Sequence, residues 1–236
     1  FFTEEGLRTQ IGLDRQHWPI AILKELLDNS LDACESTRIT PEVTVEIGED
    51  YFAVKDNGPG IAADTVTTSL DFSTRVSDKA RYVSPTRGQL GNALKIIYAA
   101  PLVVNGSSRI EIHSAGILHT IDITLDRLAQ TPTANHEISE SEFVKNGTFL
   151  KVVWPDLACS IVPFAQQGRQ LVEKYAIMNP GASFYLDLEV FGTADQKFKK
   201  WKPNDPTAPI WYTNESLTDL IAAYLTIEIK GGASRT

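Results

Sequence analysis

Cysteine is nearly absent: Cys34 and Cys159 are the only two in 236 residues. That excludes a disulfide framework and a cysteine-rich zinc site. Cys34 falls on an apolar helix stripe and reads as a reduced core thiol, so a reducing cytoplasm is the expected compartment. Long apolar runs are missing too. None approaches the roughly 20 residues that cross a bilayer, and the opening residues, which start at Phe1 and not at Met, do not read as a signal peptide. Positive charge is scarce, with 22 Lys and Arg against 30 Asp and Glu and a net charge of −8. This argues against a broad electrostatic platform for nucleic acid. His17, His113, His119 and His136 share no metal-ligand spacing and read as structural or surface residues. No Ser/His/Asp or Cys/His arrangement, internal repeat or low-complexity tract occurs.

What is present is an ordinary globular composition, 42% hydrophobic and 22% charged, enough for one large domain with or without a small appendage. One stretch organises it. Ala21–Glu35 (AILKELLDNSLDACE) has the period of an amphipathic helix. Leu23, Leu27, Leu31 and Cys34 make the apolar stripe, while Glu25, Asn29 and Asp32 share the other side. Asp14 lies where the next helix would be capped, with Pro19 in its first turn. Pro41 starts an extended stretch, and residues 43–47 and 51–55 alternate as strands of a hairpin around Gly48-Glu49-Asp50. Asp56 then falls just past a strand end. A short helix is expected over 61–70 and another over 92–100, stopping at Pro101. A strand pair is expected over 109–113 and 117–125 with Ala115-Gly116 at the turn, and a strand over 148–154. A helix over 161–178 and a strand over 183–191 follow. Residues 202–209 read as a proline-rich linker and 217–229 as a final helix. Interspersed helices and hairpins predict an α+β fold, a two-layer sandwich with a mixed, largely antiparallel sheet.

Four sets of residues carry chemistry. Glu25 is a carboxylate able to orient a water and take its proton, and Asn29, one turn on, offers a neutral amide oxygen to Mg²⁺. The pair alone is as well explained by a solvated helix face. Asp56-Asn57-Gly58-Pro59-Gly60 places a carboxylate, suited to an adenine amine, beside glycines that allow close backbone approach. The same letters suit a turn. Gly58–Ala63 also matches the loose dinucleotide fingerprint, but no βαβ unit follows. Between Asp71 and Leu90, Arg75, Lys79, Arg81 and Arg87 outnumber Asp71 and Asp78 in a long stretch without period, as in a lid or binding loop over a polyanion, or in a solvated loop. It closes on Gly88-Gln89-Leu90-Gly91-Asn92-Ala93, glycines entering a helix N-terminus whose free N–H groups suit phosphate. Lys95 stands one turn inside that helix, either facing solvent or serving the anion. Thr148 after Gly147 has a hydroxyl within reach of Asp56 or of a base-bound water, though a strand threonine needs no such role.

ELLDNSLDA, VKDNGPGI, RGQLGNALK and GT, in this order, resemble the nucleotide-binding motifs of the GHKL ATPases, the superfamily of gyrase, the ninety-kilodalton chaperones, histidine kinases and MutL. Within it the likeness is to the B subunit of topoisomerase VI, through the opening FF, the RGQ-x-G lid end and MNPGASFYLDLEVFG. The resemblance implies the Bergerat α/β sandwich over residues 1–201 with a lid at about 71–91. Residues 202–236 would be a linker and a C-terminal helix that starts a following helical domain. It implies Glu25 as general base and Asn29 as magnesium ligand. Asn29, Asp32, Asp56, Gly58, Gly60, Ile61, Gly88, Gln89, Leu90, Gly91, Asn92, Ala93, Lys95 and Thr148 would be the nucleotide-contacting set. Mg-ATP would drive a homodimer that gates DNA, with DNA contacts and a cleaving partner subunit supplied elsewhere and no membrane involved.

The sequence departs from the pattern at Ala93, where many relatives have a lid glycine, and at the loosely matching Ser73-Thr74-Arg75. Relatives also supply a phosphate-contacting lysine from a later domain, so slow hydrolysis is the expectation for this chain. The alternatives are a nucleotide-gated dimerisation module with little catalysis, or a MutL-like ATPase. A histidine-kinase catalytic domain fits less well, because ELLDNSLDA is a different asparagine-box context.

Overall fold

The computed structural model describes residues 2–72, 93–126, 131–144, 146–155, 157, 161–195, 214 and 218. The chain enters through α1 (Glu4–Ile11), where the Thr3 hydroxyl accepts from the Gly6 amide at 3.1 Å. Gly12, at φ 74°, ends it by donating to the Arg8 carbonyl. A 3-10 turn, Arg15–His17, leads into α2 (Trp18–Ser36), the organising helix, longer at both ends than its period predicts. Pro19 sits in its first turn, where a missing N–H costs nothing. Asp14 makes no side-chain cap bond and pairs with Arg8 at 2.8 Å instead. The expected stripe is the buried one: Leu23, Leu27, Leu31 and Cys34 are all inaccessible to solvent.

The hairpin follows as β1 (Glu42–Ile47) and β2 (Tyr51–Asp56), so Asp56 is the last residue of a strand and not the first beyond it. Then come α3 (Ala63–Ser69) and α4 (Ala93–Asn105). α4 does not stop at Pro101. Ile97 to Leu102 are all buried, and that packing offsets the roughly 3 kcal/mol that an interior proline costs a helix. The helix ends where Gly106, at φ 77°, donates to the Leu102 carbonyl.

β3 (Ser107–Ser114) and β4 (Ile117–Asp126) form the predicted pair, with positive φ at both turn residues, Ala115 and Gly116. β5 (Thr131–Glu140) is not legible in the sequence: TPTANHEISE lacks an apolar alternation because this edge strand is exposed along most of its length. Its ladder with β4 brings two dispersed histidines together, His119 Nδ1 lying 2.9 Å from His136 Nε2. β6 (Thr148–Val153) and α5 (Ile161–Met178) occur as expected. The single strand expected over 183–191 is a hairpin, β7 (Ser183–Leu186) and β8 (Glu189–Gly192). Asp187 turns the chain at φ 51°, a conformation aspartate tolerates, and the unbroken apolar alternation around it hides the turn. The lid expected at about 71–91, except Asp71 and Phe72, lies outside the described residues, as do the expected linker and final helix, except Thr218.

The eight strands lie in the order β5-β4-β3-β6-β2-β1-β7-β8, antiparallel except for β1 with β7. This is the expected mixed, largely antiparallel sheet. Alternate residues face the helices. Val43, Val45, Phe52, Val54, Ile110, Ile112, Leu150 and Val152 join Leu23, Leu27, Ile97 and Val172 in one core. Their strand neighbours Tyr51, Lys55, Glu111, His113, Phe149 and Lys151 point to the other face. Trp154 packs on Phe52, with ring centroids 6.4 Å apart.

Leu27 contacts this core from the middle of α2. Leu27→Ala is expected to lower unfolding free energy by about 3 kcal/mol, read as a shifted midpoint in guanidinium denaturation; an unchanged midpoint would mean the site collapses around the smaller side chain.

Candidate functional site

The site begins with strand register. Lys55 pairs with Phe149 and Ser114 with Thr148, so Asp56, Thr148 and Ser114 arrive at one level on three adjacent strands, on the face that meets the helices. Asp56 is 6% exposed. Its Oδ1 accepts from the Gly58 amide at 2.8 Å and the Thr148 amide at 3.2 Å, and the Ser30 hydroxyl of α2 lies beside the same carboxylate. Burial holds this carboxyl above its usual range even though all three donors favour the anion. Thr148 thus reaches Asp56 through its backbone N–H, where the sequence suggests its hydroxyl.

The loop after Asp56 is pinned from several sides. The Ile61 amide donates to Ser114 Oγ at 2.7 Å, and Ser114 Oγ donates to the Gly147 carbonyl at 3.4 Å. The Glu42 amide and Cys34 Sγ donate to Asn57 Oδ1, and Asn57 Nδ2 donates to the Thr40 carbonyl. Burial pushes the Cys34 thiol up to about 12, so it stays protonated. Two glycines are obligatory here. A Cβ on Gly60, at φ 85°, would lie 2.6 Å from Ser114 Oγ, and one on Gly147, at φ 89°, would lie 1.9 Å from the Asp56 carbonyl oxygen.

The α2 wall carries Glu25 and Asn29, both half-buried, and Asp32, buried. Burial raises the Glu25 carboxyl above its usual range. Lys24, with Nζ 3.9 Å from Glu25 Oε1, opposes this, while Asp28 and Asp32 reinforce it. Among the described residues no group of three or more His, Cys, Asp or Glu could hold a metal alone. The donor set fits an ion such as Mg²⁺ that takes most of its oxygens from phosphate and water, with one from Asn29.

Lys95 does not face solvent. It is 2% exposed and donates to the Asp71 carbonyl at 2.7 Å. Ala93 is the first residue of α4, and Gly88, Gln89, Leu90, Gly91 and Asn92 lie outside the described residues. Sequence reasoning misses Ser30, Ser114 and the stitching role of Asn57. The available signals are a serine on the sheet-facing side of a helix and a serine closing a strand against an Ala-Gly turn. A shallow cavity of about 290 Å³ lies elsewhere, on the opposite face of the sheet, between Tyr51, His113, Phe143, Phe149 and Lys151.

Residues 15–116 match the family described as histidine kinase-, DNA gyrase B- and HSP90-like ATPase. The B subunit of type 2 DNA topoisomerase 6 from Methanosarcina acetivorans is 34% identical over 195 residues, 75% of this chain and 30% of that protein. Its counterpart from Methanosarcina barkeri is 26% identical over 199 residues, 77% of this chain and 31% of that protein. The chain therefore spans under a third of the length of these relatives. Among solved structures, the ATPase region of Saccharomyces cerevisiae topoisomerase II superimposes with a TM-score of 0.52 at 15% identity, covering 78% of this chain and 50% of that one, a likeness of fold.

Gly147→Ala is expected to cost about 2 kcal/mol or more, from the left-handed backbone and the collision with Asp56, seen as a lowered melting temperature. The buried carboxyl adds a pH dependence. Because the folded Asp56 carboxyl titrates above its unfolded value, its stabilising contribution is full at acid pH and lost as pH rises through the folded value. Asp56→Asn has no such loss. The stability of the variant relative to the wild type should rise across the window just above the usual carboxylate range, by denaturant titration at several pH values. A flat difference would mean that the carboxyl is not raised.

Proposed function

We propose that this chain, which carries a GHKL ATPase domain similar to that of the topoisomerase VI B subunit, is an ATP-binding and ATP-hydrolysing module that uses Mg-ATP to dimerise and to gate DNA. The observation that carries the nucleotide reading is Asp56. Two backbone amides orient a buried carboxylate at the end of a rigid strand, the acceptor an adenine exocyclic amine requires. Gly58 and Gly60 add no side chains of their own beside it, and Ile61 adds an apolar surface for the base.

Hydrolysis is assigned to Glu25. Its raised proton affinity suits a base that works near neutral pH. It takes a proton from water as the water oxygen bonds the γ-phosphorus. The bond from phosphorus to the β–γ bridging oxygen breaks, and its electron pair leaves with ADP. Mg²⁺, when bound, supplies neutralisation of phosphate charge, and Asn29 is the residue that would hold it. DNA gating and a cleaving partner subunit rest on the likeness to the topoisomerase VI B subunit. The acidic net charge of this chain suits DNA contacts made by other parts of such an assembly.

The test is calorimetry with magnesium and a non-hydrolysable ATP analogue. The wild type should bind, and Asp56→Asn should lose at least about tenfold in affinity, about 1.4 kcal/mol. A folded wild type that binds nothing overturns the reading. Glu25→Ala should keep binding and lower turnover on the order of 100-fold or more, measured in a form that turns over ATP; unchanged turnover removes Glu25 from the chemistry.

A further inference from the structure

Next to Glu25 lies a charge arrangement that the nucleotide reading does not use. Asp28 has a side chain only 6% exposed, an unusual place for a carboxylate on a helix. Its Oδ2 accepts from Lys24 Nζ at 2.5 Å, and its Oδ1 accepts from the Tyr175 hydroxyl of α5 at 2.6 Å. The same ammonium stands 3.9 Å from Glu25 Oε1. Lys24 is therefore placed between two carboxylates, one buried and fixed, the other half-exposed. At 2.5 Å its proton-donating contact is with Asp28, and at 3.9 Å its relation to Glu25 is charge without a hydrogen bond.

We propose that Asp28 is a positioning residue for Glu25: anchored to α5 by Tyr175, it holds the Lys24 ammonium off the Glu25 carboxylate and leaves that carboxylate free to take a proton from water. A lysine released from Asp28 has the reach to close the remaining gap. A direct Lys24–Glu25 bond would occupy the oxygen lone pair the base needs and draw its proton affinity down. The inference rests on Glu25 as the base, but the arrangement itself is a property of the chain without nucleotide. Among the described residues the charges acting on Glu25 are Lys24, Asp28 and Asp32, all on α2; α5 contributes the neutral Tyr175 to the strut.

The test follows the Glu25 side-chain carboxyl by NMR through a pH titration without nucleotide, in the wild type, Asp28→Asn, Lys24→Met and the double variant. Asp28→Asn also removes a direct repulsion from Glu25, so the single variant is not decisive. The decisive quantity is how much more Asp28→Asn lowers the Glu25 titration when Lys24 is present than when it is methionine. An excess of about one pH unit or more is expected. Tyr175→Phe, which loosens Asp28 without altering charge, should move Glu25 in the same direction by less. Equal effects of Asp28→Asn in both backgrounds would overturn the proposal and leave Asp28 as a tie between α2 and α5, visible only in the melting temperature. Because the titration needs neither binding nor turnover, a chain that fails to bind nucleotide would defeat the functional reading and still decide the role of Asp28. Where turnover is measurable, Lys24→Met should restore part of the kcat lost in Asp28→Asn; a structural tie would show no such rescue.

Discussion

The Asp56 carboxylate is where the helix layer, the sheet and the loop are joined. Gly58 donates from the loop and Thr148 from the neighbouring strand, and the Ser30 hydroxyl lies beside it on α2. A buried carboxylate without such partners would be strongly destabilising. Three donors from three elements make it tolerable, and they also leave it little freedom to turn. The rigidity that the proposed recognition of a base needs and the compensation that a buried charge needs are here the same set of contacts.

That join depends on close backbone approach. β6 can bring the Thr148 amide to Asp56 only because Gly147 has no side chain, since a Cβ there would overlap the Asp56 carbonyl. The loop can fold back onto β3 only because Gly60 leaves room for Ser114. The last glycine of VKDNGPGI and the glycine of GT thus meet in space although they lie far apart in the chain. Asn57 and Cys34 close the remaining side, tying the loop to the start of β1 and to α2. Among the described residues, the surroundings of Asp56 are assembled almost wholly from backbone amides and small side chains, so their geometry follows strand register more than rotamer choice.

The same distinction explains what is legible in the sequence. α2, the β1–β2 hairpin, β3–β4 and α5 can be read because a buried face imposes a period on the residues. β5 cannot, because an edge strand exposed on both faces imposes none. The turn at Asp187 is hidden by alternation that runs straight through it. α4 crosses Pro101 because tertiary burial outweighs a local preference. At the site, Asp56 and its glycines stand out by spacing, and Glu25 and Asn29 by helical phase. Ser30 and Ser114 do not, since nothing in a single serine tells whether it is buried against a carboxylate. The burial of Lys95 is hidden for a related reason: its helical position is as expected, but its partner is the Asp71 carbonyl, 24 residues away.

α2 carries an unusual polar load for a helix lying on a core. Asp28, Ser30 and Asp32 are all buried on it, alongside Leu26, Leu27 and Leu31. Each such group needs partners merely to break even, and apolar side chains of similar size would hold the helix down more strongly. Stability therefore does not account for their presence. What they share is adjacency to the two residues proposed to carry the chemistry: Asp28 and Ser30 flank Asn29 in sequence, Ser30 lies beside Asp56, and Asp28 and Asp32 act on Glu25. A helix held only by leucines would be fixed in its plane yet free to settle by small rotations. Polar contacts that reach α5 at Tyr175 and β2 at Asp56 fix its rotation as well, and the rotation of α2 decides where Glu25 and Asn29 point.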